Sequence, residues 1–268
     1  MVNDSPALKR ADVGFAMGSG TEAAKEAGDL VILDDNFLSI KNAIWYGRTI
    51  YNNILKFCKF QLAINVGAVL TSAVLPFLGI ESALTVTQLI FINICMDSLG
   101  ALMTGKEPAL PEYMKAKPRR RDESIVNRKM FLQFTIMGVY LLALSICWFF
   151  IPAIKPLFET EAQLKTGFFA AFMFASILNG FNIRNEGFNV LKNIKLNTNF
   201  LPVLSAMLGA TTLLCMISIV PVIGQTLGSM FSTQAFGLKG WIAVLIAGIT
   251  VIPIDMLRKL VCGTYKNA

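Results

Sequence analysis

The longest apolar runs in the chain lie at about residues 57–78, 85–104, 131–154, 167–183, 200–222 and 240–257. At 1.5 Å rise per residue most of them reach roughly 27 to 36 Å as helices, enough for a hydrocarbon core of about 30 Å. The pattern therefore predicts six membrane-spanning helices. The fourth run, GFFAAFMFASILNGFNI, is the shortest and has the least defined ends. Residues 1–35 are mixed and charged instead. Two short apolar runs, 13–17 and 29–33, bracket GSGTEAAKEAG, where Thr21 is placed to cap a helix and Gly28 to stop it. Such a strand, helix, strand unit is too small to bury a core of its own, so it reads as the end of a larger α/β domain.

Composition points the same way. Of 268 residues 54% are hydrophobic and 15% are charged, and the mean hydropathy is +0.59. Soluble domains are about a quarter charged, so lipid is the expected solvent for much of this surface. No histidine is present, which excludes imidazole bases, His-ligated zinc and Ser-His hydrolases. The cysteines, Cys58, Cys95, Cys147, Cys215 and Cys262, are odd in number, form no CxxC and mostly sit in apolar runs; they read as reduced packing residues.

The net charge of +7 takes its meaning from where the charges fall. Residues 105–129 hold eight Lys and Arg, 184–199 hold three and the tail after 257 holds three. The connections at 79–84, 155–166 and 223–239 are nearly bare, with only Lys155, Lys165 and Lys239. By the positive-inside rule the basic loops and both termini are cytoplasmic, as an even number of spans requires. Arg119, Arg120 and Arg121 offer a nucleic-acid or lipid patch on one reading. Asp122 and Glu123 follow at once and no aromatics interleave, so a topology-setting, partly lipid-facing loop is preferred and no nucleic-acid partner is expected. The opening MVNDSPALKR has no apolar core behind it, so no cleavable leader is expected.

Only Asp97 and Asp255 among the acids lie within apolar runs, where a carboxylate needs a partner or a purpose. Arg258 follows Asp255 by three positions and can pair with it along a helix, so Asp255 is expected to be structural. Asp97 has no Lys or Arg nearer than Lys106, and Asn93 precedes it by four positions on the same face. Their carboxylate and amide oxygens suit a hard cation such as calcium; a protonated polar clasp between helices is the alternative. Asn65 taken alone reads as interhelical glue, Asn179 as packing ahead of a ligand, and Pro76 as a tolerable kink near a span end. Asn3 and Asp4 read locally as a turn or cap before a helix, and Gly18 and Gly20 as a tight turn, since no GxGxxG or Walker pattern follows.

The stretch VNDSPALKRADVGFAMGSGTEAAKEAGDLVILDDNF resembles the end of the phosphorylation domain of P-type cation-transporting ATPases, whose motif reads TGDGxNDxPALK before AD(V/I)GxAMG. IYNNILKFCKFQLAINVGAVL and FINICMDSLGALMTGKEP resemble the fifth and sixth membrane helices of calcium-pumping members, and KPRRRDESIVNRKMF the loop leading to the seventh. The resemblance implies an all-α polytopic membrane protein of six transmembrane helices, equivalent to helices five to ten, preceded by a short α/β remnant. It divides the chain at 1–50, the end of the phosphorylation domain with the start of the stalk, and 51–268, the transmembrane domain.

It further implies ATP-driven calcium transport through an aspartyl-phosphate, with Asn65, Asn93 and Asp97 as calcium ligands beside a carboxylate from a fourth helix. Asp4 would hold Mg2+, and Asn3 would bond on the phosphate side, only in a complete pump with ATP. The TGDG that precedes Val2 in the family, the DKTGT acceptor and the nucleotide and actuator domains are not in this sequence. The expectation is a chain inactive alone in phosphoryl transfer, whose partners are the bilayer and an amino-terminal pump portion, in the plasma membrane. Ala68 stands where two-site calcium pumps have Glu, and Met96 where they have Thr, which implies one calcium site, as in plasma membrane-type pumps. The rival readings are a non-enzymatic six-helix scaffold or binding protein, and a passive channel or secondary transporter, for which no inverted repeat is visible.

Overall fold

The computed structural model describes residues 4–120, 123–221 and 223–262. In chain order the elements are α1 (Ser5–Arg10), β1 (Phe15–Met17), α2 (Glu22–Ala27), β2 (Leu30–Ile32), α3 (Phe37–Val74), α4 (Val86–Gly105), α5 (Glu112–Lys115) and α6 (Arg128–Phe150). They continue with α7 (Glu161–Arg184), α8 (Phe200–Met216), α9 (Ile223–Phe231), α10 (Leu238–Ile249) and α11 (Val251–Val261). Two compact units result, one from residues up to Asn52 together with Ala109–Arg119, the other from Asn53–Pro108 and the residues from Arg120 onward.

In the first unit β1 and β2 pair in parallel, Ala16 opposite Val31, with α2 as the crossover. Thr21 and Gly28 flank α2 as the sequence predicts, although the Thr21 side chain makes no capping bond. The Gly18–Gly20 turn bonds back to the sheet through Gly18 N–H to the Ile32 carbonyl at 2.7 Å. Loop 109–119 belongs to this unit because α3 anchors it: Trp45 Nε1 donates to the Leu110 carbonyl at 3.0 Å. Arg48 Nη1 donates to the carbonyls of Tyr113, Met114 and Ala116 at 2.8, 3.2 and 2.8 Å. One guanidinium thus satisfies the carbonyls left open at the end of α5.

The second unit is a helix bundle. Among the described residues six helices are long and apolar enough to cross a membrane: Phe37–Leu78, Val86–Gly105, Arg128–Phe150, Glu161–Arg184, Phe200–Ile219 and Leu238–Val261. The protein is therefore an integral, multi-pass, all-α membrane protein. Side-chain caps start three of them, with Thr85 accepting from the Gln88 N–H, Asn127 from Met130 and Thr160 from Gln163. Gln88 returns a bond to the Thr85 N–H, completing a capping box. At the far end of the first span Gly79, at φ 83°, supplies the left-handed residue that turns the chain.

The shortest predicted span is the centre of the bundle. α7 is buried almost throughout, with α4, α6, α8, α10 and α11 packed against it. Phe168, Phe169, Phe172 and Met173 are fully buried around it. A helix apolar on every side belongs inside a bundle. It starts at Glu161, before the predicted 167, because its first turn is polar: Glu161 pairs with Lys165 at 3.3 Å. Elsewhere small residues set the approach of helices. A methyl group at Gly138 of α6 would overlap Val66 of α3, and the buried Thr71 and Ser145 hydroxyls bond across the same pair at 3.1 Å. The last span is broken at Thr250, just before Pro253, and the Tyr140 hydroxyl meets Thr250 Oγ1 there at 2.7 Å.

Candidate cation site

Polar side chains of α3 and α4 meet at one cavity. Asn65 on α3, with Asn93 and Asp97 on α4, lines a cavity of about 920 Å³ together with Gln61, Ala68, Ser72 and Ile92. The i, i+4 spacing of Asn93 and Asp97 brings both to this side of α4, as predicted. Close helix approach underlies the meeting. A methyl group at Gly100 would fall 2.9 Å from the Phe60 ring, so glycine lets α4 lie against α3 one turn beyond Asp97. Ser98 does not line the cavity, and Pro76 lies beyond α3 in the short 3-10 turn Leu75–Leu78.

Electrostatically the cavity is lopsided. Among the described residues neither Lys nor Arg lines it, and no hydrogen bond or ion pair engages the side chains of Asn65, Asn93 or Asp97. Asp255, the other acid inside a span, is fully buried with Arg258 Nε at 2.6 Å and Lys259 Nζ at 3.1 Å. Lys259 also donates to the carbonyls of Asn182, Asn185 and Gly187, closing the end of α7. The expected Arg258 partner is present; the second cation was not foreseen. Asn179 accepts from Asn182 Nδ2 at 3.2 Å inside the bundle and does not reach the cavity.

Several other positions differ from the sequence reading or add to it. Asp4 is exposed at the start of α1 and makes no capping bond, and Asn3 lies outside the described residues. Among the described residues no three His, Cys, Asp or Glu side chains converge to hold a metal ion. The residues present therefore do not by themselves form a Mg2+ site. All five cysteines are free, but only Cys95 and Cys215 are buried; Cys147 and Cys262 are exposed, which corrects their reading as packing residues. Two features were missed. Gln61 stands one turn before Asn65, a spacing that the sequence displays, and Glu107 anchors a buried ionic cluster that it does not.

Comparison with known proteins gives the chain its family. The family described as cation transporting ATPase, C-terminus, matches residues 81–261. The chain belongs to the cation-transporting ATPases. Over 93% of its length it is 37% identical to the plasma membrane calcium-transporting ATPase mca-1 of Caenorhabditis elegans, of which it covers 20%. It is 34% identical, over 97% of its length, to the plasma membrane-type calcium-transporting ATPase 9 of Arabidopsis thaliana, of which it covers 24%. The endoplasmic reticulum-type calcium-transporting ATPase 3 of that plant is also 34% identical, with 28% of it covered. This cation-transporting ATPase chain thus spans about a fifth to a quarter of the length of such relatives.

Within the ATPase membrane unit, Glu107 lies just past α4 with its side chain buried. Lys56 Nζ reaches it at 2.9 Å, Arg184 Nε at 2.7 Å and Asn197 Nδ2 at 2.6 Å. Burial pushes its carboxyl pKa up, but the Lys56 charge and the bonds from Asn197, Arg184 and Lys56 outweigh it and hold the group below the usual range. Asn53 Nδ2 donates to the Gly105 and Glu107 carbonyls, fastening the same end of α4 to α3.

Proposed function

We propose that this chain is the membrane part of an ATP-driven calcium transporter, and that Asn65, Asn93 and Asp97 bind the transported ion. The observation that carries the reading is Asp97: an in-span carboxylate, without a countercharge, lining a cavity beside two amides. Hard oxygen donors of this kind suit calcium, which takes six to eight oxygens. This chain's side chains supply fewer, so the site is completed by a carboxylate from a fourth helix in an amino-terminal pump portion. The calcium-transporting relatives support the ion.

Mg2+ and ATP act in the complete pump, where Asp4 holds Mg2+ and Asn3 bonds on the phosphate side; the acceptor and nucleotide machinery come from elsewhere in that pump. Both termini and loops 105–129 and 184–199 face the cytoplasm, loops 155–166 and 223–239 face outside, and the membrane is the plasma membrane. One calcium is carried per cycle. Ala68 lines the cavity without a donor, and Met96 is fully buried outside it.

In a full-length pump carrying this chain, Asp97→Asn is expected to abolish calcium-dependent phosphorylation from ATP while phosphorylation from inorganic phosphate without calcium persists. Calcium-dependent phosphorylation at the unaltered concentration would overturn the reading.

A further inference from the structure

Gln61 carries a buried Oε1 to which no donor among the described residues comes within hydrogen-bond reach. An acceptor removed from water without a donor is costly, and such groups are rare enough to need an explanation. Gln61 also lines the cavity that holds Asn65, Asn93 and Asp97. Every polar side chain named there is an oxygen-bearing group, and no cationic side chain lines the cavity.

The heights of these groups follow from two contacts between the helices. A methyl group at Gly100 would meet Phe60, and Asn53 reaches the Gly105 carbonyl, so α3 and α4 run antiparallel with Phe60 level with Gly100. From that level Asp97 lies three residues, about 4.5 Å, along α4, at a height between Gln61 and Asn65, and Asn93 lies one turn, about 6 Å, further on. Asp97 is therefore flanked in height by two amides of α3, with the Asn93 amide one turn beyond it on α4. An amide oxygen without a donor and a carboxylate without a countercharge, both on residues lining one cavity, suit a positive group.

We propose that Gln61 supplies a further oxygen to the transported cation, from the side of Asp97 nearer Asn53. The proposal rests on the calcium-site reading above and extends its donor set. With Asp97 giving two oxygens and Asn65, Asn93 and Gln61 one each, this chain offers about five of the six to eight that calcium takes. Gln61 is then a determinant of affinity and of ion size, because its side-chain length sets how closely its oxygen approaches the ion.

The test uses the full-length pump carrying this chain, with equilibrium binding of radioactive calcium and strontium and phosphorylation from inorganic phosphate as the measure of intact machinery. Gln61→Leu is expected to raise the calcium concentration for half-saturation at least about tenfold with phosphorylation from phosphate unchanged. Gln61→Asn, shorter by one methylene, is expected to shift the strontium-to-calcium preference at least about threefold toward strontium, which a purely structural role would not do. The proposal is overturned if Gln61→Leu binds calcium within twofold of the unaltered pump while Asp97→Asn does not bind it. It is equally overturned if Gln61→Asn weakens both ions alike. If Asp97→Asn itself retains calcium binding, the site reading fails first and this proposal with it.

Discussion

Arg184 donates from Nε to Glu107 at 2.7 Å, joining the end of α7 to the chain just past α4 in an ion pair whose side chains are both buried. Lys56 brings α3 to the same carboxylate. Three of the helices around the cation cavity and the bundle centre are thus tied at one end by a single acidic group.

Glu107→Gln removes that group's charge and strands Lys56 and Arg184. Breaking a buried pair in this way costs about 3 to 5 kcal/mol. Thermal unfolding in detergent at neutral pH should show the loss. Because the Glu107 carboxyl titrates below its ordinary value, its contribution is fully present above the unfolded value, about 4.3, and fades as pH falls through the lower folded value. The stability gap between unaltered and Glu107→Gln protein is therefore expected to be constant from about pH 7 to pH 5 and to narrow in more acid solution. A gap that widened there would contradict the assignment.

Asp255→Asn is expected to lower stability, because Arg258 and Lys259 lose a buried partner, yet to leave the calcium affinity of the folded fraction unchanged. Calcium titration of the purified, folded fraction checks this. A large affinity loss with unaltered yield would assign Asp255 to transport.

What could be read in advance depended on the solvent. Each span announces itself by length, but in lipid both faces of a helix are apolar, so nothing in GFFAAFMFASILNGFNI marks α7 as the centre rather than a lipid-facing helix. Its polar first turn, with Glu161 and Lys165 paired, looks like loop by hydropathy. α3 begins at Phe37, well before the apolar run, since residues 37–56 are too polar to be counted as span. Asn93 and Asp97 were legible because one helix holds both. Glu107 and Arg184 come from the C-terminal ends of two different helices, far apart in the chain, and no local spacing predicts their meeting. Gln61 shares a face with Asn65 in the sequence, but its unmatched oxygen is visible only once its neighbours are placed.

The proposed orientation predicts that a thiol at Ser124→Cys is not labelled by an impermeant reagent added outside intact cells and is labelled once the membrane is opened. Cys58, Cys95, Cys147, Cys215 and Cys262 must first be replaced, above all the exposed Cys147 and Cys262. Labelling of Ser124→Cys in sealed cells would reverse the topology.

The central claim is one calcium ion bound around Asp97, and equilibrium binding of radioactive calcium to the full-length pump carrying this chain, divided by phosphoenzyme sites, tests it most directly. The account predicts a ratio near one for the unaltered pump and near zero for Asp97→Asn, whose sites are counted by phosphorylation from inorganic phosphate. A ratio near two, or calcium binding that survives Asp97→Asn, would contradict it.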